Sequence, residues 1–195
     1  MNKHIRLFNR IANVYGWFYK AQRKQYKKRV IPKLPIDFKE KRVIDIGAGT
    51  GALSSVLDEL GAEVLMLDGS EKMLETARKK QAPNALQFTI RDILKEPIED
   101  LGQFDVVISA YVAHGLNSDQ RQTLYRKMQQ LSKQYIVFYE HRKSKNVIVK
   151  FVEYLEDGDY FNYVRVAEKE LKTYYNNLTV IPVSKRSVLY LVEVK

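Results

Sequence analysis

From residue 42 onward, compact apolar runs alternate with segments of helical period. Residues 42–46, 63–67, 86–90, 104–109 and 135–139 read as strands, the fourth almost continuously apolar, as expected where both sheet faces are covered. Residues 52–60, 70–80 and 118–132 read as helices. Ser70 is placed to cap one of them, and Glu71, Glu75 and Asp119 fall near helix starts. This order predicts right-handed βαβ units around a buried parallel sheet. The C-terminal part departs from the pattern. Helices are expected over residues 146–156 and 164–176, then strands over 178–183 and 188–194. The four residues between those strands are too few for a parallel crossover, so the two should form an antiparallel hairpin. Pro182 cannot donate to a ladder and assigns its strand to an edge. The last strand, Val-Leu-Tyr-Leu-Val, is apolar enough for a central place.

The N-terminal arm reads differently. Phe8, Ile11, Tyr15, Phe18, Tyr19, Tyr26 and Val30 recur at near-helical spacing, predicting a helix over residues 8–30 that ends before Pro32 and Pro35. Lys20, Arg23, Lys24, Lys27 and Lys28 group on another face. The net charge of +10 sits entirely here. Residues 1–42 hold thirteen lysines and arginines against Asp37 and Glu40, an excess of eleven, whereas the remainder has twenty basic and twenty-one acidic residues. Such an arm attracts nucleic acid, anionic lipid or acidic substrates, or is simply a solvated helix face.

A chain of 195 residues suits a single domain over 1–195, with a basic aromatic arm at 1–40 and a core at 41–195. No apolar run approaches the roughly 18 residues of a membrane span. The N-terminus lacks the apolar core of a secretory signal, so a cytoplasmic location is expected. There is no cysteine, which excludes disulfides, thiolate metal sites and thiol nucleophiles. No metal is expected.

The chemistry concentrates in Val43-Ile-Asp-Ile-Gly47-Ala48-Gly49-Thr-Gly51, which closes a strand and opens a helix. Glycines there let a ligand approach the backbone closely, and the helix start offers unpaired N–H groups. Asp68 ends the second strand, 17 residues after Gly51, where a carboxylate can hold both hydroxyls of a ribose. Asp92 and Ser109 also stand at strand carboxyl ends, where open α/β sheets bind ligands. Gly47-x-Gly49-x-x-Ala52 satisfies the relaxed dinucleotide fingerprint as well, which keeps an NAD(P) oxidoreductase open. Asp45, two residues before the first glycine, suits an ammonium or sulfonium better than a pyrophosphate. No Gly-Lys-Ser/Thr follows, which excludes the NTPase phosphate loop.

The stretches VIDIGAGTG (43–51), EVLMLDGSEKML (63–74), IRDI (90–93) and FDVVISAYVAHGL (104–116) together resemble the class I S-adenosylmethionine-dependent methyltransferases. The resemblance covers about residues 41–140. It implies an α/β fold: a Rossmann-like, seven-stranded, mostly parallel sheet with helices on both faces and an antiparallel C-terminal hairpin. It implies S-adenosyl-L-methionine as cofactor. Gly47, Ala48, Gly49 and Gly51 would bend around its methionyl part, and Asp45 would face its amino group. Asp68 would bind the ribose, with Gly69, Ser70 and Met73 nearby. Asp92 would meet the adenine amino group and the Ile93 backbone a ring nitrogen, although both Asp45 and Asp92 also suit ordinary capping or turn roles. Ser109 and Tyr111 would border the methyl donor.

For the acceptor, His114 lies just beyond the fourth strand and could act as a base, with Tyr111 beside it. A structural hydrogen bond is the alternative use of His114. Glu140-His141 ends the fifth strand on the same side. Phe8-x-x-Ile11-Ala12-x-x-Tyr15 resembles the start of ubiquinone/menaquinone-type small-molecule methyltransferases, in which such a segment lids the pocket. Tyr15, Tyr19 and Tyr26 would then line or cover the site, while Trp17 and Phe18 would pack on the helices flanking the sheet. Residues 141–177, including Asp157-Gly-Asp159-Tyr-Phe161 and Tyr174-Tyr175, would shape substrate choice. Ser109-Ala110-Tyr111-Val112 lacks the Asp/Asn-Pro-Pro-aromatic segment of amino-methylating DNA enzymes, and the pyrimidine C5 route needs a cysteine. A small-molecule acceptor is thus the first expectation. An RNA methyltransferase or RNA binder using the arm is the second, and peripheral contact with a membrane and a lipid-like acceptor the third.

Overall fold

The computed structural model describes residues 3–80, 86–142 and 160–194, without the side chains of residues 3, 4, 6–8, 10, 11, 13–15, 160 and 161. The elements are α1 (Lys3–Gln25), β1 (Arg42–Ile46), α2 (Ala52–Glu59), β2 (Glu63–Asp68), α3 (Glu71–Lys80), β3 (Gln87–Ile90), β4 (Phe104–Ala110), α4 (Ser118–Leu131), β5 (Ser132–His141), α5 (Tyr160–Tyr174), β6 (Leu178–Pro182) and β7 (Ser187–Glu193). A π-helical turn (Tyr26–Val30) and a 3-10 turn (Ile31–Lys33) end the arm.

The strands form one seven-stranded sheet in the order β3-β2-β1-β4-β5-β7-β6. The first five are parallel. β7 lies antiparallel between β5 and β6, which gives the apolar last strand its central place and Pro182 an edge. The architecture is the Rossmann-like α/β sheet with a reversed hairpin.

Period-2 alternation splits the core into two layers. Val43, Val106, Ile108, Val137, Tyr139, Leu189 and Leu191 face α2, α3 and the arm. Ile44, Ile46, Val107, Ile136, Phe138, Val188 and Tyr190 face α4 and α5. Helices therefore cover both faces. On the second face Arg121 is buried. It donates through Nε and a terminal nitrogen to both Glu170 oxygens, at 2.8 and 2.9 Å, and to the Leu116 carbonyl, tying α4 to α5.

Several boundaries differ from expectation. β5 runs from Ser132 to His141 because β4 and β7 pair with it on either side beyond its apolar centre. α4 accordingly stops at Leu131. Its start is held by a reciprocal pair, in which Asn117 Oδ1 accepts from the Gln120 amide and Gln120 Oε1 from the Asn117 amide. α5 spans Tyr160–Tyr174 rather than 164–176. The helix expected over 146–156 and the segment 157–159 lie outside the described residues.

The arm helix begins at Lys3 rather than residue 8 and packs across α2 and α3. Gly16 permits that crossing, since a Cβ there would stand 3.1 Å from Thr76 Cγ2. Tyr19 and Tyr26 turn inward with Val30 and Leu34. The expectation for Trp17 and Phe18 is corrected. They do not pack on the flanking helices; their side chains are 82% and 56% exposed. With Ala12, Tyr19 and Tyr26 facing the body, the helical period leaves residue 17 on the opposite side, among the lysines. Of those basic residues, Arg23 and Lys27 pair with Glu59 of α2.

Candidate active site

The carboxyl ends of β1, β2, β4 and β5 meet at one rim of the sheet, with Ile46 level with Leu67 on one side and Ser109 on the other, and Ala110 level with Tyr139. Gly47, Gly49 and Gly51 all take positive φ, at 72°, 56° and 76°, a backbone only glycine adopts without strain. The Gly47 and Ala48 amides donate to the Leu67 carbonyl, closing the loop onto β2. A Cβ on Gly47 would collide with Val112 Cγ2. That contact makes the glycine loop and the segment after β4 one wall.

Two acids hold the loop. Asp45 is buried and accepts from Ser54 Oγ of α2 at 2.6 Å. Burial pushes its carboxyl up to about 7, with the Ser54 hydroxyl opposing the shift and the nearby Asp68 charge adding to it. Asp68 accepts from the Gly49 amide at 2.8 Å and the Ser70 amide at 2.7 Å. Its carboxyl is also raised by burial, against those two N–H donors. Ser70 Oγ caps α3 by accepting from the Met73 amide at 3.2 Å, and it donates to Asn9 Oδ1 of α1 at 2.7 Å. Gly69 lies under Ile5 of the same helix. The start of α1 thus rests on the turn that carries Asp68, Gly69 and Ser70. Met73 is buried behind that turn.

Asp92 builds a turn. Its Oδ1 accepts from the Leu94 amide at 3.1 Å, and its own amide donates to Glu96 Oε1. Ile93 is buried beneath. Arg91 braces the loop through both Asp100 oxygens, at 2.6 and 2.8 Å. Ser109 departs from expectation. It is fully buried in the row Ile46–Ser109–Phe138, and its hydroxyl has no hydrogen-bond partner among the described residues. Strand alternation turns it into the α4 side of the core rather than toward the rim. The side chain of Tyr15 lies outside the described residues. Tyr19 packs in the core with Lys80 Nζ 5.6 Å from its ring centre, so it supports α1 from within.

The second half of the site is aromatic. Tyr111 has φ of 59°, an uncommon conformation for a bulky residue and one that clusters at functional sites. Its ring lies 4.3 Å from His141 and 4.7 Å from Tyr139, with the His114 ring edge-on at 6.3 Å. Tyr26 meets Tyr139 edge-on at 5.9 Å, and Gln25 Nε2 donates to the Tyr139 hydroxyl at 2.8 Å. The end of the arm thereby joins this cluster. Burial pushes the Tyr111 phenol well up, so it stays protonated and serves as a donor. His141 is driven down to about 4 by burial and by the neighbouring His114, and is neutral at pH 7.

Behind the aromatics stands Glu140, fully buried. Its Oε1 accepts from the Val112 and Ala113 amides at 3.1 and 2.9 Å, and its Oε2 is 3.0 Å from His114 Nδ1. The pairing of Glu140 with His114 is not apparent in the sequence, because the two are 26 positions apart. The one available signal is a charged residue closing the apolar run Tyr135–Tyr139, at a level where β4 and β5 run in register. Among the described residues no group of histidines and carboxylates could hold a metal ion, and no helix is long and apolar enough to cross a membrane.

Residues 43–134 match the model of a family described as a methyltransferase domain. A ubiquinone biosynthesis O-methyltransferase from Sinorhizobium fredii is 37% identical over 82 residues, which is 42% of this chain and 33% of that relative. The match thus spans about a third of the curated relative's length. A methyltransferase of Staphylococcus carnosus, itself uncharacterised, is 28% identical over 145 residues, covering 71% of this chain and 66% of that one. Among solved structures, magnesium protoporphyrin IX methyltransferase from Synechocystis PCC 6803 with bound S-adenosylhomocysteine superposes with a TM-score of 0.60. It covers 100% of this chain and 89% of that one, at 19% identity. Residues 43–134 are thus similar to a methyltransferase domain, and the fold is the one this solved methyltransferase shares.

Proposed function

We propose that this chain is an S-adenosyl-L-methionine-dependent methyltransferase acting on the hydroxyl of a small aromatic molecule. The observation that carries the reading is the contact of Gly47 with Val112, which joins the acidic glycine loop to the aromatic wall holding His114. A donor and an acceptor site built this close together suit direct group transfer.

The donor set fits that cofactor. Asp45 and Asp68 are the groups at the loop, and the Gly49 N–H already donates to Asp68. A pyrophosphate would meet two acids and an occupied amide, which argues against a dinucleotide. A ligand with an ammonium, a sulfonium and a ribose is matched by the same residues. Asp45 would hold the ammonium, Asp68 the ribose hydroxyls, and the Gly47–Gly51 backbone the chain between them. Ala48, Gly69, Ser70, Met73, Asp92 and Ile93 would form the surrounding wall. The cofactor supplies a methyl group already activated as a sulfonium. What remains for the protein is alignment, which can supply about 7–11 kcal/mol, and removal of a proton from the acceptor.

His114 is the residue placed for that removal. In the tautomer that donates from Nδ1 to Glu140 Oε2, Nε2 is the basic nitrogen. Tyr111 and the neutral His141, their rings packed 4.3 Å apart, would give a flat acceptor one aromatic wall to lie against. Similarity to a ubiquinone biosynthesis O-methyltransferase and to magnesium protoporphyrin IX methyltransferase supports a small-molecule acceptor over RNA. Calorimetry with S-adenosylmethionine and NADH, followed by labelled-methyl transfer into separated small-molecule and RNA fractions of the host, tests the reading. Binding of the methyl donor and label in a small aromatic product are expected. Binding of NADH alone, or label only in RNA, would overturn it.

A further inference from the structure

The outward face of α1 combines two features that the active site does not use. Trp17 and Phe18 project into solvent, 82% and 56% exposed. Lys20 and Lys24 follow Trp17 at i+3 and i+7, which places all three on one face, and both lysines are exposed. Lys28 and Arg29 continue the exposed basic run into the π-helical turn. Lys20, Lys24 and Lys28 have no carboxylate partner among the described residues, whereas Arg23 and Lys27 are held by Glu59. No acid occurs anywhere from residue 1 to residue 36.

We propose that this face seats the protein on an anionic lipid surface, with Trp17 and Phe18 entering the headgroup boundary and the lysines meeting lipid phosphates. The pairing of an indole with flanking lysines on one helix face is the arrangement that interfacial helices use. Phosphate contacts to a duplex would engage the lysines but leave both rings on the helix crest in water. A single strand, whose bases can stack on such rings, is the competing occupant that the test below includes. The helix is well placed for this role. Its inward side ends in Gln25 and Tyr26 against Tyr139, at the aromatic cluster. A lipid-soluble acceptor with an aromatic head could pass from the surface along the arm to that cluster. This last step rests on the methyltransferase reading; the docking does not.

Trp17 is the only tryptophan, so its fluorescence reports on the face directly. The full chain is mixed with phosphatidylcholine vesicles with and without phosphatidylglycerol. A blue shift and co-flotation with the anionic vesicles are expected, both reversed by high salt. Replacing Lys20, Lys24 and Lys28 with Gln should weaken flotation about fivefold per lysine. The Trp17→Ala/Phe18→Ala variant should weaken it by roughly tenfold or more. These side chains are exposed, so wild-type circular dichroism is expected of both variants. Absence of a blue shift with anionic vesicles overturns the proposal. So does flotation unaffected by loss of the two rings, or binding to a single-stranded RNA oligomer without vesicle binding. Vesicle binding by a protein that fails to bind S-adenosylmethionine would uphold the docking and remove the enzymatic reading.

Discussion

The two halves of the site are built on different scales. The half around the glycine loop is local: Ser54 reaches Asp45 across nine positions, Ser70 reaches Asp68 across two, and Gly49 reaches Asp68 across nineteen. The aromatic half is assembled from afar, with His114 on Glu140 across 26 positions and Gln25 on Tyr139 across 114. The first is a single βαβ unit whose loops need specific backbone angles, so its chemistry is written as a motif. The second depends on which strands become neighbours and on where the arm comes to rest. Under the proposed function, such a domain can keep its donor half while changing its acceptor half, because only the first is tied to consecutive residues.

Substitutions can separate the halves. The largest effect is expected at His114. His114→Ala should lower kcat by about 10²–10⁴ if it is the base, with S-adenosylmethionine affinity unchanged by calorimetry. A parallel loss of cofactor affinity would merge the halves. Glu140→Gln should act in the same direction, with a shifted pH–rate profile, because it changes the partner of Nδ1 rather than the base itself.

Gly47→Ala should strike both halves. The positive φ costs about 1–2 kcal/mol for a residue with a Cβ, and the collision with Val112 adds to it. Cofactor affinity is expected to fall at least about tenfold. Adding Val112→Ala should recover the steric part alone. No recovery in that double variant would show that the Gly47–Val112 contact does not join the sites.

Asp45 offers a graded test by pH. Its carboxyl is held at about 7 in the folded protein and would need to ionise to meet an ammonium. Cofactor affinity should therefore weaken about tenfold per pH unit below that value, and Asp45→Asn should be weak and flat. Stability runs the other way. A raised carboxyl stabilises the fold fully at acid pH and loses that contribution as pH rises from about 4 to about 7. His141, depressed to about 4, has the opposite sign, with stability lost as pH falls from about 6.5 to 4. Urea titrations of Asp45→Asn and His141→Asn across this range should tilt in opposite directions. A common direction would contradict the assigned causes.

The smallest effect belongs to the arm. Tyr139→Phe removes the acceptor of the Gln25 bond, which is worth about 1 kcal/mol. Faster amide exchange in the π-helical turn is expected, with exchange of the glycine loop unchanged. Spread of the change to that loop would show that the arm couples the two halves.

The sequence by itself determined the sheet. Short apolar runs between amphipathic helices admit little besides a parallel α/β layer, and a four-residue link admits little besides a hairpin. It also determined the glycine loop with Asp45 and Asp68, since positive φ and a strand-end acid leave marks in consecutive letters. Tertiary structure decided the rest. It buried Ser109 and turned Asp92 into a turn builder, because strand alternation and loop bracing fix where a side chain points. It brought Glu140 under His114, because β4 and β5 lie in register. It also set Trp17 outside rather than in. Period alone marks two faces of a helix with both lysines and aromatics, and only the position of α2 and α3 decides which face is covered.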